Sequence, residues 1–301
     1  MKKNLLGKIG TFVILSLAVT ACQKDQTSLD ENSNNIQSSS FKSDRNNPEG
    51  ITFYALEGNQ LDKFSTSNPE TVISSANITG LQAGEKILGI DFRPATGQLY
   101  GLGSNSRLYT INPSTGVATF VAALTTVPMG STTAVPLSLE GTSFGFDFNP
   151  VVDRIRIVSN TGQNLRAHPT TGVTIVDGRI NPQPASVNGV AYDNNDNDPA
   201  TGTELYALDV LTDQEFEINP PNNGTLVEPL NIKLKIEGDG GFDIAPRNAN
   251  VITDIGLAIY EVNKKSTLLR IDVETGETKI LAKYDKGVMY SALAISPVAG
   301  F

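Results

Sequence analysis

Residues 51 to 301 predict an all-β fold, a five-bladed β-propeller of four-stranded antiparallel blades whose first blade is closed by the C-terminal strand. Three observations predict it. One phrase recurs five times: GIDFRP (89–94), GFDFNP (145–150), GVAYDN (189–194), GFDIAP (241–246) and SALAISP (291–297). The glycines at 89, 145, 189 and 241 stand 56, 44 and 52 residues apart, the length of a four-stranded blade. The repeat is also split at the two ends of this region. It opens on the second half of a unit (FYALEG, from 53) and finishes on the first half (SALAIS), so the two ends complete one blade and close the ring.

Each unit reads as strands a to d. Strand a is the recurring phrase, and strands b, c and d are the LYGLG, RLYTIN and VATFV segments and their copies. Apolar and polar residues alternate in them, with Gly, Asn and Pro at the ends. NPSTG, HPTTG and DVETG are the c–d hairpin turns, in which proline presets φ and glycine accepts positive φ. The long spacing of 56 is explained by an insert between blades, residues 125–142. No stretch after residue 50 sustains a 3.6-residue apolar period without a breaker, so a helical reading fails.

Residues 1–21 read as a secretory signal: Lys2, Lys3 and Lys8 precede an apolar run too short to span a bilayer stably. The run ends in LAVTAC, which resembles the lipobox of bacterial lipoproteins and implies cleavage before Cys22 and acylation of that cysteine. Several acyl chains on one residue make a firm membrane anchor. The following CQKDQ is similar to the surface-export signal of Bacteroidetes lipoproteins, which implies an outer-membrane lipoprotein displayed outward. Residues 22–50 are the lipidated cysteine and a Ser/Asn/Asp/Gln-rich tether that cannot bury enough apolar surface to order itself; it spans on the order of 30 Å as a coil. Residues 51–301 form the single propeller domain.

Removing the three lysines before Cys22 takes the net charge from −9 to −12. An acidic chain of pI near 4.7 lacks the basic footprint that nucleic acid requires. One cysteine excludes an internal disulfide, the absence of tryptophan removes the best stacking platform for sugars, and one histidine excludes a histidine metal cluster or relay.

Asp91, Asp147 and Asp243 occupy one position of strand a, where the other two units carry Ala191 and Ala294. Two readings are open: carboxylates bonded to neighbouring backbone or arginine, or a ring around the channel that holds a cation or performs acid–base work. Arg154 and Arg156 share one face of a strand b and need carboxylates, with Asp91, Asp147 and Asp153 as candidates. With Asn164 and Arg166 they otherwise make an anion pocket. His168 replaces the Asn112, Asn219 or Asp272 of sister turns and reads as a turn residue. Asp193, Asn195, Asn197, Thr201 and Glu204 imitate a calcium-loop spacing, although Asp198 stands where that loop needs glycine. Calcium is therefore the one cofactor in question; no other is implied.

The phrases GIDFRPATGQLYGLGSNSRLYTINPSTG and DFNPVVDRIRIVSNTGQNLR resemble a bacterial family known only as a domain of unknown function, whose members are secreted or lipid-anchored and propeller-like. The resemblance covers nearly all of residues 51–301 and implies no activity and no catalytic residues. The expected function is a non-catalytic surface module that binds or scaffolds a protein, glycan or small molecule. Its binding face would carry Asn105, Asn164, Asp209, Asn263 and the 125–142 insert. The alternative is a glycan-acting hydrolase using Asp91, Asp147 and Asp243.

Overall fold

In the computed structural model, residues 50–196, 198, 200–246 and 254–297 are described; the lipobox, Cys22 and the tether up to residue 49 lie outside them. Strand-forming alternation converts into five antiparallel sheets. In blade 1, β1 (Thr52–Glu57), β2 (Gln60–Ser65) and β3 (Ser74–Asn77) follow in order, and β22 (Ala292–Ile295) supplies the inner strand. Blade 2 is β4 (Ile87–Arg93), β5 (Gln98–Gly103), β6 (Arg107–Ile111) and β7 (Ala118–Ala123). β8 (Thr125–Thr126) and β9 (Val135–Pro136) pair as a small ribbon within the insert. Blade 3 is β10 (Phe144–Asn149), β11 (Arg154–Ser159), β12 (Asn164–Ala167) and β13 (Thr174–Val176). Blade 4 is β14 (Val187–Tyr192), β15 (Leu205–Asp209), β16 (Gln214–Ile218) and β17 (Leu226–Asn231), with a 3-10 turn at Pro221–Asn223. Blade 5 is β18 (Glu237–Ile244), β19 (Ile255–Val262), β20 (Lys265–Asp272) and β21 (Thr278–Lys283).

The inner strands touch in the cyclic order β22, β4, β10, β14, β18 and back to β22. The two ends of the propeller zip together as Phe53↔Ile295, Tyr54↔Ala294, Ala55↔Leu293 and Leu56↔Ala292. The split repeat thus makes a five-bladed propeller with no unpaired seam between first and last blade. Alternation along strand a has a consequence for packing. Ile90 and Phe92 face blade 1, Phe146 and Phe148 face blade 2, and Phe242 and Ile244 face blade 4, each within a separate buried cluster. Five such clusters fill the five interfaces between blades. The core is therefore a ring of blade-to-blade contacts rather than one central mass.

The recurring glycine of strand a has a steric reason. A Cβ on Gly241 would lie 2.1 Å from the Leu293 nitrogen of the next inner strand, so any larger residue forces blades 5 and 1 apart. At the outer edge, Asn112 Oδ1 accepts from the amides of Ser114 and Thr115, at 2.9 and 3.0 Å, and Asp272 Oδ1 does the same for Glu274 and Thr275. His168 Nδ1 accepts from the Thr170 amide at 3.2 Å, a local turn bond of the same kind.

Candidate functional site

Asp91, Asp147 and Asp243 converge on the propeller axis from β4, β10 and β18. One carboxylate oxygen of each lies within 4.8 Å of those of the other two, and the residues are only 5, 1 and 3 % exposed. Each projects toward the next blade and accepts a backbone N–H from its inner strand at the same offset. Asp91 Oδ2 takes the Phe148 amide (2.8 Å), Asp147 Oδ2 the Tyr192 amide (2.8 Å) and Asp243 Oδ2 the Ile295 amide (2.6 Å). Blades 4 and 1 carry alanine here, so no carboxylate reaches forward from them to the Ile244 and Phe92 amides. Asp91 takes up the shortfall by accepting from its own neighbour, Phe92, through Oδ1 at 2.6 Å, and the Ile244 amide stabilises the charged form of Asp243. Three carboxylates thus serve five inward-facing amides.

Burial is the main force on their ionisation. It pushes Asp91 and Asp147 well above the usual carboxylate range, with the neighbouring carboxylates adding to the effect, and lifts Asp243 to about 7. Asp243 Oδ1 is buried without a hydrogen-bond partner. No Lys, Arg or His pairs with the three among the described residues. An open channel, which the hydrolase alternative would require, is not what surrounds them. The small space of about 10 Å³ between the inner strands is bounded by Gly89, Gly145, Gly241 and Leu293, and none of the three aspartates lines it.

The arginines divide. Arg156 is 2 % exposed and engages four of its five N–H donors: Nη1 to Asp177 Oδ2 and Asn164 Oδ1 (2.8 Å each), Nη2 to Asn222 Oδ1 (2.9 Å) and Nε to Tyr192 Oη (3.3 Å). Arg166 adds a bidentate grip on Asp177. Arg154 instead turns back on the carbonyls of Val152 and Asp153. The carboxylate partners expected from sequence are corrected here. Asp153 pairs with Arg93, Asp91 and Asp147 take backbone amides, and Asp177, after strand d, is the counter-charge. The reason is reach: Arg156 extends away from the axis toward the outer strands. With Asn222 and Tyr192 contributed by blade 4, the cluster pins blade 3 to its neighbour.

In the acidic loop, Asp193 Oδ1 accepts the Glu204 amide (2.6 Å) and the Thr203 hydroxyl, and Thr201 donates to Asp196 and to the Asp198 carbonyl. Asn195 Nδ2 donates to the Ile244 carbonyl of blade 5, and the Glu204 carboxylate accepts from Tyr206 Oη at 2.8 Å. The two acidic residues of the expected calcium set therefore turn to different partners, and Asn197 lies outside the described residues. Of the residues expected on a binding face, Asn105 and Asn263 are exposed but Asn164 and Asp209 are buried. Asn164 holds Arg156 and the Gly178 and Pro221 carbonyls, and Asp209 accepts the Ser186 and Leu211 amides. Their side chains close the strand connections instead of facing solvent.

One feature escaped sequence reasoning. A cleft of about 380 Å³ opens between the outer part of blade 4 and the c–d turn of blade 5, lined by Glu204, Tyr206, Glu215, Glu217, Glu228 and Glu274 among others. Glu215 is 1 % exposed, and both its oxygens lack a hydrogen-bond partner. Burial, with Asp272 nearby, raises its pKa to about 8.

A family model described as Domain of unknown function (DUF4394) matches residues 60–294. The chain belongs to the DUF4394 family. No curated protein matches it. Among solved structures, the chain is similar to one in the crystal structure of a nidogen/laminin complex, with 11 % identity and a TM-score of 0.48, over 82 % of this chain and 99 % of that one. It is also similar to a structural-genomics protein of unknown function from Bacteroides thetaiotaomicron, with 12 % identity and a TM-score of 0.45, over 84 % of this chain and 62 % of the other. Membership in DUF4394 and the five-bladed ring agree with the expectation from the recurring phrases.

Proposed function

We propose that this DUF4394 protein is a non-catalytic binding or scaffold module, held at the outer membrane by lipid on Cys22 and displayed on the cell surface. The observation that carries the non-catalytic part is the sealing of Asp91, Asp147 and Asp243. Glycoside hydrolysis needs two carboxyl groups on either side of an accessible bond, about 5–10 Å apart, one of them with room for water. The axial carboxylates are closer together, buried and committed to backbone amides. The buried Arg156 fork is likewise occupied by protein acceptors. Among the described residues, a concave surface opens to solvent at the blade 4–blade 5 cleft. The anchor rests on the lipobox resemblance and the tether that follows it.

Two measurements test the reading. The full chain, expressed in a Bacteroidetes host, is expected to incorporate an alkyne-labelled fatty acid and to be cleaved by protease added to intact cells; Cys22→Ala is expected to lose the label. Labelling independent of Cys22, or protection in intact cells, overturns the anchored, displayed arrangement. Incubation of the same protein with a panel of bacterial and host glycans is expected to release no reducing ends. Release that disappears in Asp147→Asn establishes the hydrolase instead.

A further inference from the structure

We propose that Asp91, Asp147 and Asp243 hold one calcium-sized, hard divalent cation on the propeller axis. This goes beyond the binding-module reading and stands or falls separately from it. Three carboxylates have been brought together in a site without a basic side chain among the described residues. Buried charge of one sign must be balanced by protons or by a cation. A proton shared between the Asp91 and Asp147 carboxyls relieves part of that charge. Asp243 Oδ1, however, is buried without a hydrogen-bond partner, and a cation uses its free lone pair.

One oxygen of each carboxylate lies within 4.8 Å of the other two, close enough for a single ion to bridge all three. Ligand chemistry and hydration narrow the choice of ion. Calcium takes oxygen ligands at about 2.3–2.6 Å in flexible geometry. Magnesium, at about 2.0–2.1 Å, demands a tighter octahedron and keeps several waters. The three aspartates are only 5, 1 and 3 % exposed, which leaves little room for those waters. An all-oxygen ligand set also disfavours zinc and copper. Since the ligands come from blades 2, 3 and 5, the ion would tie the inner strands together across the axis and complete the work of the five amides.

The test uses the full chain in detergent, unfolded in urea and refolded with calcium or with EDTA. After dialysis into metal-free buffer, mass spectrometry is expected to find one calcium per chain in the calcium-refolded protein. Its Tm should be about 10 °C higher than that of the EDTA-refolded protein. Less than about 0.2 calcium per chain, or equal Tm values, overturns the proposal, and this arm stands whether or not any variant folds. Asp243→Asn is expected to lose the ion. Glu204→Gln is expected to keep it; loss in Glu204→Gln with retention in Asp243→Asn would move the site to the 193–204 loop and overturn the axial assignment.

Discussion

Replacing Arg156 by methionine tests whether the blade 3–blade 4 contact is held by a charge or merely filled by a long side chain. Methionine keeps much of the aliphatic stem and removes the guanidinium. Four hydrogen bonds go with it, two of them 2.8 Å long, and Asp177, with a side chain only 6 % exposed, loses its buried partner. Breaking a buried pair from one side generally destabilises by about 3–5 kcal/mol, because an uncompensated charge stays behind. Arg166 still grips Asp177 after the substitution, which places the expected loss at the lower end, about 3 kcal/mol. For a domain of this size that is a fall in Tm on the order of 10 °C. The assay is urea unfolding at pH 7, fitted for midpoint and slope. Combining Arg156→Met with Asp177→Asn removes the stranded charge, so the double variant should recover roughly 1–2 kcal/mol of the single variant's loss. A loss below about 1 kcal/mol in Arg156→Met, or a double variant whose losses simply add, refutes the argument.

Glu215 predicts a pH dependence. Its folded-state pKa of about 8 lies above the ordinary value of 4.5, so the native chain holds a proton that the unfolded chain has lost between those limits. Stability from this group is full below pH 4.5 and is lost as pH rises through 8. Glu215→Leu should flatten that fall and stabilise the protein at pH 9 by about 3 kcal/mol, read by thermal unfolding across pH; a destabilised variant at pH 9 contradicts the assigned burial penalty. Gly241→Ala, whose Cβ would meet the Leu293 nitrogen at 2.1 Å, should cost about 2 kcal/mol or more in the same assay; a neutral result would mean blades 5 and 1 separate freely.

Much of this architecture is written in the chain because a propeller repeats. Each copy of strand a marks a blade, and the halves left at 53 and 291 state the closure that Phe53↔Ile295 then realises. The three axial aspartates were legible as a set for the same reason. Their partners were not, because Phe148, Tyr192 and Ile295 contribute backbone amides, and an amide carries no signature in the side-chain sequence. Asp177 and Asn222 have no counterparts in the sister blades, so the repeat gave no reason to place them beside Arg156. Glu215 sits in QEFEI, where polar–apolar alternation reads as a solvated face. Its burial arises from the blade beyond it, where Val273 and Glu274 close over blade 4, a property of the interface and not of the strand.

The pattern of three aspartates and two alanines raises the question of what limits the carboxylate count. Amide geometry does not: Phe92 and Ile244 present the same inward N–H as the other three, and Ala294 faces blade 2 at the position from which an aspartate would reach Phe92. Charge is the stronger constraint. Two unit charges about 5 Å apart repel by roughly 3 kcal/mol at the effective dielectric of protein sites, before any desolvation. A fourth carboxylate would meet Asp91 at such a distance. Ala294→Asp should therefore be much more destabilising than the isosteric Ala294→Asn, by about 3 kcal/mol at pH 8 in the presence of chelator. Ala294 is fully buried, so both variants share the cost of fitting a larger side chain, and only the difference between them reports charge. Equal unfolding midpoints for the two would show that space, not electrostatics, keeps alanine in two of the five blades.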